Sequence, residues 1–320
     1  MTMQDDSLRP EELAEAAAAA IEDAQGRSVR EAAKVLAEAG LIGVGAAEDD
    51  GGLGLGLNFA VPIAQAGGMG QVGVPLVESL VLAKALAGSP EAAALVAGEK
   101  LATIAWQGDL TQGMAGHARQ LAECDWVLVA DGQGGAALIE VHGLEIESDP
   151  ALDPERPQAW IHLKGARTVA TLDAEAYAAL IHDAQVLTAA WLNGAAQGAL
   201  ERTASYMATR VQFGRPLSAK QAVRHWLSRM RLQWEAASAS VHRVLSPDEF
   251  GAARSPLTAL AVSIDSAAFV LEKSIHLHGG MGFTWELPLH VALRDVRKID
   301  AAFGSGKLTQ DIGRQFIQAA

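Results

Sequence analysis

Two stretches of helical periodicity near the C-terminus constrain this chain more than anything else in it. In residues 219–244, Val223, Trp226, Leu227, Met230, Trp234, Ala237, Val241 and Val244 fall on one face at helical spacing. Residues 257–275 repeat the pattern with Leu257, Leu260, Ala261, Ile264, Ala268, Leu271 and Ile275. A long helix with one apolar side must bury that side against another helix. Together with a further helical stretch from residue 179, the pattern predicts an antiparallel, four-helix-type bundle over 179–320.

The N-terminal part is also helical. In "RPEELAEAAAAAIEDA" (9–24), acids crowd the start, Pro10 suits a first turn and alanine favours the helix. "SVREAAKVLAEAG" (28–40) has Ser28 as a candidate N-cap and Gly40 as a stop. The glycine-rich stretch 43–56 reads as a loop, and 57–66 and 75–88 as two more helices. Between these parts the pattern changes. "LATIAW" (101–106), "CDWVLVAD" (124–131), "GAALIEV" (135–141), "AWIHLKG" (159–165) and "RTVATL" (167–172) are short and β-branched or aromatic. "ADGQGG" (130–135) signals a hairpin. The expected organisation is a helical domain over 1–100, a small β-domain over 101–178 and the bundle over 179–320. The fold class is mainly α with a small central β-domain.

Composition narrows the function. With 38 acidic and 25 basic residues the formal net charge is −13, which argues against nucleic acid, whose phosphates need clustered cations. The one dense basic patch runs from Arg202 to Arg243 and suits a small anion better than a duplex. Cys124 is the only cysteine, so neither an intrachain disulfide nor a cysteine metal site is expected. The first residues carry no cationic leader, and no run of about 18 apolar residues occurs. A cytoplasmic protein is expected, with no membrane span.

Two segments carry chemistry. "RVQFGRPLSAKQAVRH" (210–225) sets Arg210 and Arg215 around a Phe-Gly turn between two helices. A guanidinium there is a fork for phosphate oxygens, or alternatively a cap for the last helix carbonyls. "IHLHGGMGFTWELPLHVALRDVR" (275–297) holds Gly279, Gly280 and Gly282. They allow either a simple turn or close approach of a ligand. Glu286 and Arg294 read as a structural ion pair. Trp191, Trp226 and Trp234 suggest more apolar surface than one bundle face needs, hence oligomerisation, with plain core as the alternative.

These two segments, in a helix–β–helix order and with "AEAGLIGVGAAEDDGGLGLGLNFA" (37–60) upstream, resemble the acyl-CoA dehydrogenase family. The first is similar to its Arg-x-x-Phe-Gly-x-Pro-Leu…Gln signature, the second to its Gln-x-x-Gly-Gly-x-Gly-Phe…Arg-Asp segment. The resemblance implies an acyl-CoA dehydrogenase-like fold and FAD-dependent α,β-dehydrogenation of an acyl-CoA thioester. It implies a homo- or hetero-oligomer, typically a tetramer, with electron-transferring flavoprotein as acceptor. By the same resemblance Arg210, Gln212, Phe213, Gln221, His276, Gly279 and Gly280 hold the adenine and pyrophosphate half of an FAD that belongs mainly to a neighbouring chain. His276 stands where the family usually has Gln.

The departures are as informative. The family's catalytic Glu, counted from Arg294-Asp295, falls on Phe303. Its alternative place falls near Ala184 and Gln185, with Asp183 adjacent. Asp183 and Glu286 remain as displaced bases. The family's Thr-Glu-Pro-x-x-Gly-Ser-Asp loop has no counterpart; the chain reads "TIAWQGDLTQG" (103–113) there. Trp160-Ile161 is the nearest match to its second flavin strand. The losses concern a chain's own flavin ring and substrate, and the retained groups serve a neighbour's FAD. The expected role is therefore that of a specialised subunit, like the small subunit of steroid-type heterotetramers. The alternatives are a self-sufficient homo-oligomer with a displaced base, or a non-catalytic assembly scaffold.

Overall fold

The computed structural model describes residues 9–150, 153, 156 and 158–319; the leader reading of residues 1–8 lies outside them. Helices α1 (Pro10–Ala24), α2 (Val29–Glu38), α3 (Leu57–Gly70), α4 (Leu76–Ala85) and α5 (Pro90–Val96) form the N-terminal part. Strands β1 (Ala102–Ile104), β2 (Gln107–Asp109), β3 (Met114–Gly116), β4 (Trp126–Ala130), β5 (Ala136–Glu140), β6 (Ile146–Asp149), β7 (Gln158–His162) and β8 (Thr168–Leu172) follow. Then come α6 (Ala174–Thr209), the short strands β9 (Val211–Gln212) and β10 (Arg215–Pro216), α7 (Gln221–Val244), α8 (Leu257–His278), α9 (Leu289–Ala302) and α10 (Lys307–Ala319). The mainly helical architecture with a small central β-part agrees with the sequence reading.

Local chemistry sets the ends of these elements. Ser28 accepts from the Glu31 amide while Glu31 accepts from the Ser28 amide at 3.0 Å, a reciprocal cap that starts α2. Hydrogen bonds donated by the Ser28 hydroxyl, at 2.7 Å, and by its amide hold the Glu31 carboxyl below its ordinary value. Gly40, at φ 73°, closes α2 as Leu41 N–H reaches back to the Leu36 carbonyl. The 130–135 hairpin forms as expected, with Asp131 accepting from the amides of Gln133 and Gly135. Sequence reasoning missed α5, β2, β3 and β6. The last three, "QGD", "MAG" and "IESD", have no apolar alternation from which to read a strand.

The β-part is two four-stranded sheets, β1-β4-β5-β8 and β2-β3-β7-β6. β1 and β4 are parallel; the other pairings in the two sheets are antiparallel. The first sheet is buried on both faces. Along β4, Trp126 and Leu128 join the helical core, while Val127 and Val129 join a second core between the sheets. In β5, Ala136 and Leu138 alternate with Ala137 and Ile139 in the same way. That explains why β4 and β5 read as unbroken apolar runs rather than alternating ones.

α6 is the axis of the molecule. Its residues Val186–Ala196 are buried on every side. α3 crosses it so closely that the two backbones touch. A methyl on Gly68 would sit 1.8 Å from the Trp191 carbonyl oxygen, and one on Gly194 would sit 1.8 Å from that of Gln65. Only glycine permits this crossing. Trp191 and Trp234 are both core, Trp234 donating its indole N–H to the Asn193 carbonyl at 3.1 Å. This corrects the expectation that the bundle tryptophans mark an oligomer face. Of the three, only Trp226 is half-exposed, with Lys273 Nζ 4.5 Å from its ring centroid. Exposed apolar side chains lie elsewhere, at Phe213, Leu232, Phe283 and Trp285. No helix among the described residues is long and apolar enough to cross a membrane.

A buried ion cluster fastens α9 to the β-part. Asp295 Oδ1 lies 2.7 Å from Lys298 Nζ, and Oδ2 lies 3.3 Å from Arg156 Nη1. Lys298 also reaches Asp153 Oδ2 and the Arg156 carbonyl, each at 3.0 Å. Burial pushes the Asp295 carboxyl up, but Lys298, Arg119 and Arg156 together outweigh burial and hold it below its ordinary value.

Two predictions follow from these contacts. Gly194→Ala should cost about 1–3 kcal/mol by overpacking. Gly313→Ala in α10, where a methyl meets nothing within 4 Å, should be neutral or gain up to about 1 kcal/mol of helix propensity. Urea unfolding compares the two; equal midpoints would rule out the backbone contact. Asp295→Ala strands Lys298 and Arg156 and should cost about 3–5 kcal/mol at neutral pH. Because the folded-state carboxyl titrates below the unfolded one, its contribution is complete above about pH 4. It is lost as pH falls through the folded value. Unfolding free energies measured down the acid limb should converge for parent and variant; a constant gap would refute the assignment.

Candidate functional site

At one end of the bundle the structure gathers the two sequence motifs. α6 ends at Thr209, and the Arg210 amide bonds the Tyr206 carbonyl at 2.9 Å. Residues 211–216 form a tight hairpin whose central pair, Phe213 and Gly214, have φ of 55° and 75°. Two left-handed residues are what a type I′ turn demands. The turn thrusts the Phe213 ring outward, 89% exposed, with Lys220 Nζ 4.5 Å from its centroid. Gln221 opens α7 on the same end. Tyr206, one turn before Arg210, stacks on His278 with centroids 4.5 Å apart. His278 precedes Gly279, so the ends of α6 and α8 lie side by side.

On this edge Arg210, Gln212, Phe213, Gln221, His276, Gly279 and Gly280 are all exposed. The Arg210 guanidinium makes no hydrogen bond or ion pair among the described residues, so it does not cap its helix carbonyls. The three glycines differ. Gly279 adopts φ 60°, ψ −137°, which a side chain disfavours. Gly282 is required by packing, since a methyl would sit 2.3 Å from the Ile275 carbonyl oxygen. Gly280 has ordinary φ and open space around it, so the fold gives no reason for its lack of a side chain.

The second site is a pocket where α4, α6, α9 and the β-part meet. It encloses about 50 Å³. Its floor includes Thr188, one turn beyond Ala184 on α6; its far wall is Ile299, Ala302 and Phe303 from α9. Phe303 packs against Trp106, ring centroids 5.0 Å apart. The position at which the sequence resemblance places a base is thus an aromatic contact. Gln107 ties the same corner, its amide donating to the Ala301 and Ala302 carbonyls. Within 103–113, Asp109 accepts from its own turn at Gln112 and Thr111, which holds its carboxyl below the ordinary range. Trp160 covers Gly116, and Ile161 points into the inter-sheet core.

The weak base candidates lie elsewhere. Asp183 is paired with Lys84 Nζ at 2.7 Å and contacts His182; it faces the groove of α3, α4 and the 43–57 loop. Glu286 is exposed. Arg294 does not pair with it, which corrects that expectation. Arg294 instead stacks over Trp285 at 5.0 Å and approaches Asp153 at 3.8 Å.

The pocket also holds residues that sequence reasoning did not single out. Glu78 is 2% exposed, and its Oε2 has no hydrogen-bond partner. Burial pushes its carboxyl up, opposed only in part by Arg119. A signal existed: an acid inside "LVESLVLA" stands in a helix that is apolar all round. Arg119 lies 4.6 Å over the Trp191 ring. His117 and Gln120 flank Ala118-Arg119 with φ of 54° and 51°, a strained setting for non-glycine residues. Burial also lowers the His117 imidazole. Nothing in "MAGHARQ" announces this loop.

A flavin ring does not fit the pocket. Its volume is far below the roughly 300 Å³ of an ordinary ligand site, and Lys298, Arg156 and Asp295 already neutralise one another along it. The exposed edge does fit a dinucleotide: it offers an unpaired guanidinium and a glycine that leaves room for close approach.

The description "Acyl-CoA dehydrogenase, C-terminal domain" matches residues 176–317. Acyl-CoA dehydrogenase FadE34 of Mycobacterium tuberculosis is 29% identical over 285 residues, covering 84% of this chain. The chain spans only 39% of that relative's length. Among solved structures, the Tcur3481-Tcur3483 steroid ACAD superposes with a TM-score of 0.84 at 25% identity, covering 97% of this chain and 98% of that one. The ChsE4-ChsE5 complex from Mycobacterium tuberculosis superposes with a TM-score of 0.80 at 21% identity, covering 98% and 99%. By sequence over residues 176–317 and by fold throughout, this chain is similar to the acyl-CoA dehydrogenase family.

Proposed function

We propose that the chain is one subunit of a two-chain acyl-CoA dehydrogenase, and that it completes an FAD site whose ring contacts and base lie on its partner. The observation that carries this reading is the contrast between its two sites. The chain's own pocket is small and has Phe303 where the resemblance puts a base, whereas the Arg210 edge is exposed and its guanidinium unpaired among the described residues. FAD, when bound, supplies the hydride acceptor for α,β-dehydrogenation of an acyl-CoA thioester. Arg210 would grip the pyrophosphate as a fork. Gln212, Gln221 and His276 would donate or accept around the adenine half, Phe213 would cover it, and Gly279-Gly280 would admit it closely. The α-proton would pass to a carboxylate of the partner.

Two solved relatives named as pairs of chains support a heteromeric assembly, most simply a tetramer. The description of one as a steroid ACAD favours a bulky, ring-bearing acyl group. Electron-transferring flavoprotein is the proposed acceptor.

Co-expression with a dehydrogenase-like partner tests the proposal. The chain alone should be colourless, and the complex should show flavin absorbance and dehydrogenase activity. Stoichiometric FAD on the chain alone would instead mean a self-sufficient enzyme. An assembled complex whose flavin content ignores Arg210→Ala would mean a scaffold. Arg210→Ala should weaken FAD retention by about tenfold to a hundredfold, the worth of a hydrogen bond to a charged group, with assembly preserved on gel filtration. Gly280→Ala separates ligand from fold: it should leave the melting temperature of the chain unchanged and still reduce flavin content. Gly282→Ala should lower the melting temperature itself.

A further inference from the structure

The closed pocket retains polar groups that nothing inside the chain satisfies. Arg119 lines it with no hydrogen bond or ion pair among the described residues, its guanidinium resting over Trp191. Glu78 lines it too, almost fully buried, with Oε2 unpartnered. No ion pair joins the two, although the charge of Arg119 acts on Glu78. The remaining cations of the pocket, Lys298 and Arg156, are neutralised by Asp153 and Asp295. Arg119 is therefore the one pocket cation, among the described residues, that lacks an acceptor. A buried acid without a partner and a guanidinium without an acceptor, facing the same small space, call for a third group.

We propose that this pocket is a binding site for a small organic carboxylate, held by the Arg119 fork and hydrogen-bonded by Glu78. One carboxylate satisfies both groups. One oxygen or both accept from the guanidinium, in the geometry that Arg favours, and a remaining lone pair can accept from a protonated Glu78, whose Oε2 has no other partner. The volume of about 50 Å³ holds roughly three to five water-sized groups, which is a carboxylate with one to three carbons. Ala118, Ile299 and Phe303 give those carbons an apolar wall. The left-handed backbone at His117 and Gln120 fits the same purpose. It brings Arg119 to the cavity between two anchored residues, Gln120 donating to the Gly73 carbonyl and His117 contacting Gln158. The inference stands whether or not the chain lends an edge to a partner's FAD.

The test uses the full chain and three probes: propionate, its uncharged isostere propionamide, and inorganic phosphate, each by titration calorimetry and thermal shift. Propionate should bind saturably and raise the melting temperature, with propionamide at least roughly tenfold weaker for want of the charge. Arg119→Gln should reduce propionate affinity by a similar factor. Glu78→Gln, whose amide still donates, should keep it within a few-fold while folding at least as well as the parent. Circular dichroism controls for folding, and the propionate–propionamide contrast needs no variant. Equal binding of propionamide, tighter binding of phosphate than of propionate, or full affinity in folded Arg119→Gln would each overturn the assignment.

Discussion

The backbones of α3 and α6 touch, and the rest of the architecture is built around that contact. With Gly68 on one helix and Gly194 on the other, the backbones approach at the crossing without a side chain between them. α6 can then be enclosed on every side through its middle third, with α3 and α4 against one flank and α7 and α8 against the other. Both candidate sites are read off this one helix. Thr188, near its buried middle, lines the closed pocket, and Arg210, where it emerges into solvent, begins the exposed edge. A displacement of α6 along its axis would alter both together.

Charge is distributed so that the two ends of this arrangement differ in kind. In the pocket, Lys298 and Arg156 are ion-paired with buried acids, whereas Arg119 makes no ion pair among the described residues. A buried ion pair gives little net stability against an apolar replacement, but breaking it is costly. Such a cluster therefore fixes geometry more than it adds free energy, and here it fixes α9 against the β-part. At the exposed edge the opposite holds: Arg210 makes no ion pair among the described residues, on a chain whose net charge is −13. An uncompensated guanidinium in an acidic protein is a local attraction for an anion, and solvent access lets that anion arrive from another subunit.

How much of this was legible in the sequence depended on range. Helices with a solvent side, such as α2 and α7, show their period directly, and Ser28 and Gly40 mark the ends of α2 by chemistry within a few residues. The exposed edge was legible for the same reason, since Arg210, Phe213 and Gly214 are neighbours in the chain. The pocket was not. It is assembled from α4, the loop after β3 and α9, whose residues Glu78, Arg119 and Asp295 are far apart in sequence and meet only after packing. Nor could the fate of the tryptophans be read: Trp191, Trp226 and Trp234 look alike on a helical stripe. Packing alone separates them: Trp191 lies in the buried middle of α6 and Trp234 packs against it from α7, whereas Trp226, earlier on α7, is half-exposed.

On the proposed reading, losing the base and keeping a rigid pocket are not in conflict. A subunit that lends an edge to its neighbour needs the ends of α6 and α8 in fixed register, because Arg210 and Gly280 must meet one ligand together. The Tyr206–His278 stack sets that register locally. It can do so only if α8 and α9 are held against the body of the protein, and the lock of α9 through Asp295 and Lys298 provides this from the opposite side. The closed pocket and the competent edge are thus two consequences of one set of helix positions.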